Sequence, residues 1–168
     1  KTILIPKAIS FNRRIDQGHR YTYNALNLPT SEDDGRLKAT FTYHVRNGKE
    51  TSLPRSKLIR SGQKILKREF YKFNANAGCT LKIEDDGSGE SSRDLTGVRN
   101  RKIVRCINRE DTFAGLPVEI DVLCSNGQEE ERISRIVLEY NTHGYVEREK
   151  HYDANNRFAY EIAKLRDL

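Results

Sequence analysis

With 168 residues, 36% of them hydrophobic and 32% charged, the chain is long enough to bury a core without disulfides or metals and too apolar for full disorder. The net charge of +6 favours polyanions but falls short of the loading of a dedicated nucleic-acid binder. No apolar run approaches the ~18 residues of a membrane helix, and Lys1-Thr-Ile-Leu-Ile5 opens the chain without Met or a signal pattern, so a processed fragment or excised domain is expected.

In chain order, Lys1 to Ile9 reads as an opening strand that Pro6 confines to a sheet edge. Ile15 to Gly18 is a turn, after which Tyr21 and Tyr23 share one face of a strand. Asn27 to Gly35 gathers Pro, Ser, Asp and Gly and reads as a loop. Ala39, Phe41, Tyr43 and Val45 then alternate with Lys38, Thr40, Thr42 and His44, and Asn47-Gly48 supplies the dipeptide of a type I′ hairpin turn.

Between Pro54 and Lys72 lies the densest basic stretch: Arg55, Lys57, Arg60, Lys64, Lys67, Arg68 and Lys72 against the single Glu69. Ser56 to Ser61 is read as a short helix ended by Gly62 at C′. Residues 64 to 74 fit a strand, with one helix through Leu58, Ile59, Ile65, Leu66 and Phe70 as the alternative. Thr80 to Glu84 is a brief strand leading into a polar, small-residue run from Asp85 to Asp94.

Lys102 to Asn108 and Leu116 to Cys124 are strands, and Asn126-Gly127 is a second turn dipeptide. Two segments rich in β-branched and aromatic residues, Ile133 to Tyr140 and Tyr145 to Tyr152, flank the turn at Gly144, and Phe158 to Leu168 reads as a closing helix. The expected fold is therefore mainly β (a β-rich α+β protein), with antiparallel hairpins and meanders and one or two short helices. Its expected organisation is an N-terminal lobe over 1–84, a polar loop or linker over 85–99 and a C-terminal lobe over 100–168, or one domain overall.

The C-terminal hairpin resembles the YD-type hairpin repeats of bacterial proteins through Tyr140, Asn141, Gly144, Tyr152, Asp153 and Asn156. The match covers residues 138–159, in one clear copy, with Asn156 where such repeats place Gly. The resemblance implies a β-rich scaffold or interaction element and carries over no catalytic residue.

Catalytic and metal constellations find little to build on. Cys79, Cys106 and Cys124 show no CxxC spacing, so reduced, buried thiols of a cytoplasmic protein are expected in place of zinc or disulfides. Glu119 and Asp121 share a strand face, as a Mg²⁺ nuclease would need, but a solvated face opposite Val118, Ile120 and Val122 is the better reading. The acidic turns Glu32-Asp-Asp34 and Glu84-Asp-Asp86 lack the ligand alternation of an EF-hand. No GxxxxGK[ST], GxGxxG or GxSxG is present, and no cofactor and no catalytic residue is assigned.

Two function classes remain. One is a non-catalytic module that binds a protein partner through exposed strands, with Tyr140, His143, Tyr145 and Tyr152 as candidate contacts. The other is a nucleic-acid-binding domain using Arg55, Lys57, Arg60, Lys64, Lys67, Arg68 and Lys72, where cations neutralise phosphates and Phe70, Tyr71 and Phe73 stack bases. What separates the two is whether the basic side chains converge on one surface.

Overall fold

Alternating apolar and polar residues punctuated by Asn, Asp and Gly dictate hairpins, and hairpins joined end to end make a meander. A computed structural model describes residues 13–16, 18–87, 101–126 and 129–164. Among them are twelve strands and no helix: β1 (Arg13–Asp16), β2 (His19–Tyr23), β3 (Pro29–Asp33), β4 (Lys38–Arg46), β5 (Lys49–Ser61), β6 (Lys64–Phe73), β7 (Cys79–Asp85), β8 (Arg101–Asn108), β9 (Pro117–Ser125), β10 (Glu130–Tyr140), β11 (Val146–Tyr152) and β12 (Phe158–Ala163). They form one sheet in strict sequence order, every neighbouring pair antiparallel.

The mainly-β expectation holds, and the short helices are corrected. Ser56 to Ser61 belongs to β5, paired with β4 on one side and β6 on the other. Gly62, taken as a helix C′ residue, uses its positive φ of 57° to close the β5–β6 hairpin. Phe158–Ala163 is a strand on β11. The supposed loop at 27–35 contains β3, because Ser31, Glu32 and Asp33 find partners on both β2 and β4. Residues 64–73 are a strand, as preferred from sequence, and Asn47 and Gly48 take positive φ (50° and 72°) in the β4–β5 turn. The opening strand at 1–9 and most of the polar run after Asp85 lie outside the described residues.

Each described strand packs chiefly against its two sequence neighbours, so stability is nearly a sum of local ladder terms. Burial peaks at the centre of the sheet, where Tyr43, Leu58 and Ile103 are the buried apolar groups. Beside them Arg68 and Asp85 have side chains wholly withdrawn from solvent, and Arg68 Nε donates to Asp85 Oδ1 at 2.9 Å. Toward β12 the packing thins, until all six residues of that strand are exposed.

Candidate functional site

Turn chemistry fixes how the strands are presented. At residues 24–28, 74–78, 141–145 and 153–157 the chain makes the same five-residue connection. An Asn or Asp side chain accepts from backbone N–H groups two and four residues on: Asn24 from Leu26 and Leu28, Asn141 from His143 and Tyr145, Asp153 from Asn155 and Arg157, while Asn74 accepts from Gly78. The fourth residue of each turn adopts positive φ: Asn27 58°, Ala77 61°, Gly144 78° and Asn156 62°. One turn geometry thus serves four hairpins, and Asn156 takes the left-handed conformation with a residue type that tolerates it.

Five connections line one rim of the sheet and are braced sideways. Asn24 Nδ2 donates to Glu50 Oε2 at 2.7 Å, and Arg46 Nη2 donates to the Asn74 carbonyl at 2.7 Å. Gly78 meets the backbone of Gly115 so closely that a Cβ would stand 2.7 Å from its Cα, and Gly144 lies against the Phe113 ring. The Arg109 guanidinium sits 5.3 Å from the Phe113 ring centroid and 5.7 Å from that of Tyr140, tethered by Asp111. Tyr43 and Tyr140 repeat one device: each hydroxyl donates to the carbonyl of the proline that opens a nearby strand, Pro29 at 2.8 Å and Pro117 at 2.6 Å.

The candidate partner contacts divide along this geometry. Tyr140, His143 and Tyr145 gather on the braced rim, with His143 and Tyr145 exposed. Tyr152 ends β11 at the opposite rim, about 20 Å away by strand rise. There its ring meets Phe158 edge-on at 6.0 Å and takes the Arg135 guanidinium at 5.8 Å.

The basic candidates divide too. Lys57 and Lys67 share a face with Glu69 and Glu84, and Lys67 Nζ lies 3.1 Å and 3.0 Å from those carboxylates. Bonds to Glu84 and Glu69 raise the Lys67 pKa; Lys67 in return holds Glu84 below its usual range. Burial pushes Glu69 upward, but the Tyr71 hydroxyl and Lys67 outweigh it and leave the carboxyl lowered. Arg60, Arg68 and Lys72 occupy the other face, with Arg68 buried on Asp85, while Arg55 and Lys64 are exposed. The seven residues do not form one patch.

Glu119 and Asp121, weighed as metal ligands, each hold an arginine: Arg135 at 2.5 Å and Arg132 at 2.9 Å. Among the described residues no group of three or more His, Cys, Asp or Glu is placed to hold a metal ion. Cys79, Cys106 and Cys124 are half-buried free thiols, and burial raises the pKa of Cys79 and Cys106. A groove of about 480 Å³ at the β6–β9 end is lined by Lys67, Glu84, Asp86, Arg101 and Lys102, in which Lys67 and Glu84 already neutralise each other.

Sequence reasoning missed β12 as a surface. Phe158, Tyr160 and Ile162 alternate with Ala159, Glu161 and Ala163, and are 59%, 53% and 41% exposed. That period of two is a strand signal. Its outer edge takes no further strand among the described residues. The other outer strand, β1, reads Arg-Arg-Ile-Asp. No protein-family model matches the chain, and no curated protein matches it at a significant level.

Proposed function

We propose that the protein is a non-catalytic interaction module that binds a protein partner through its exposed strands, with β12 as the principal contact. One observation carries this reading: among the described residues β12 is an edge on which Tyr160 and Ile162, on the His151 face, and Phe158, beside Tyr152 on the other, remain 41–59% accessible. Edge strands present unpaired N–H and C=O groups and are normally guarded by charge, proline or bulges. Here the guard is slight. A bulge lies where the ladder passes from His151 to Tyr152, and the strand's one charge, Glu161, is 3.9 Å from Arg148. Strand addition supplies affinity through main-chain bonds and specificity through alternate side chains.

The His151 ring lies flat on Tyr160 at 4.3 Å, so the aromatic surface of β12 is held in place before a partner arrives. The β10–β11 hairpin behind it is braced at its turn, where Gly144 lies against Phe113 and Arg109 against Tyr140. Preorganisation of this kind lowers the ordering cost of binding.

The test is affinity capture with the wild-type chain and with a Tyr160→Lys, Ile162→Lys variant, each checked for fold by circular dichroism. A partner retained by wild type and lost by the variant is the expected result. A partner retained equally by both contradicts the assignment to β12.

A further inference from the structure

We infer that the groove at the β6–β9 end binds a small phosphate-bearing molecule through Arg101 and Lys102. The site is remote from β12 in the strand order and stands independently of the edge-strand reading. The groove is a notch in the rim, opening where β6 and β8 start and β7 and β9 end. Successive residues of a strand project to opposite faces, yet at this rim Arg101 and Lys102 both line the same space. Its volume of about 480 Å³ is that of a small-molecule site.

The charges around the notch are matched unevenly. The β7–β8 register sets Asp85 opposite Arg101 and Glu84 opposite Lys102. Both carboxylates are drawn to β6 instead, Asp85 to Arg68 at 2.9 Å and Glu84 to Lys67 at 3.0 Å. Asp86 has a contact of its own. The two β8 cations are left over: among the described residues neither Arg101 nor Lys102 makes a side-chain hydrogen bond or ion pair. Arg101 is half-buried, and its Nε is withdrawn from solvent without a partner. A donor left unmatched in this way is costly, and a bound anion removes the cost.

Two cations on one groove match a doubly charged phosphate better than a single carboxylate. A guanidinium grips two oxygens at once, and an ammonium adds a compact point charge. Leu66 and Cys124 line the same notch and offer apolar surface to the organic part of the ligand.

Inorganic phosphate and phenyl phosphate are the probes, titrated by isothermal calorimetry at about 50 mM salt. Both should bind with Kd of about 0.1–1 mM, phenyl phosphate the more tightly and benzoate more weakly than either. Lys102→Gln, at an exposed position, should raise Kd about ten-fold, and Arg101→Gln at least as much. Arg105→Gln removes a β8 cation already paired with Glu130 at 2.6 Å and should leave Kd unchanged. Where Arg101→Gln fails to fold by circular dichroism, Lys102→Gln decides alone.

Absence of saturable binding at about 10 mM of either phosphate overturns the inference. So does binding that Lys102→Gln leaves unchanged or that Arg105→Gln weakens equally, since the probe then answers to net charge and not to this groove. Benzoate bound as tightly as phenyl phosphate overturns the assignment to phosphate.

Discussion

Arg68 and Asp85 stand 17 positions apart in the chain, one inside a basic run and the other heading an acidic turn, and neither announces its partner. Only the β6–β7 register sets them opposite each other, fully withdrawn from solvent. Removing one member leaves the other charge buried, whereas removing both leaves apolar volume to repack. Arg68→Met is therefore expected to cost about 3–5 kcal/mol in urea unfolding, and Arg68→Met with Asp85→Leu to cost less than either single change. At Ala77, φ of +61° places a Cβ where left-handed backbone is strained. Ala77→Gly should stabilise the fold by about 0.5–1 kcal/mol, the relief of that strain less glycine's added chain entropy. Asn27 and Asn156, with the same φ sign, bear the geometry more easily because Asn tolerates it.

Hairpins were the legible elements. The alternation of Ala39 to Val45 and the Asn47-Gly48 dipeptide both act through neighbours a few residues away, so a sequence window contains the whole cause. Ser56–Ser61 and Phe158–Ala163 misread as helix for the opposite reason: their strand character is decided by ladders to β4, β6 and β11. The basic run is divided for the same reason, because period-two alternation and the β6–β7 pairing hand Lys67 to Glu69 and Glu84. This ladder has a pH signature. Glu69 and Glu84 have lowered folded pKa values, so their contribution is present above the ordinary 4.5 and lost as pH falls through the folded values. Lys67 is raised, so its contribution is present below the ordinary 10.5 and lost as pH climbs through the higher folded value. Thermal melts across pH should show both declines, and Lys67→Met should flatten them, modestly because Lys67 and Glu84 are part-exposed.

On the scale of the whole molecule, the sheet is an open array whose strands speak to their neighbours, buried at the centre and bare at β12. Charges distributed over two faces predict weak, non-specific contact with nucleic acid. Fluorescence anisotropy with short labelled DNA and RNA should show binding that fades between about 50 and 200 mM salt. Tight binding lost on reversing exposed Arg55, Lys64 and Lys72 would favour the nucleic-acid reading instead; Arg68 is unsuitable for that test because its reversal unfolds the centre.

The edge-strand account is tested most directly by hydrogen exchange of backbone amides in the free chain and in the captured complex. Outward-facing amides of β12 should exchange fast when free and slow when bound, while β4 and β5 in the interior of the sheet keep their protection unchanged. Protection confined to the turn at 141–145, with β12 exchanging identically in both states, would contradict the account and move the contact to the braced rim.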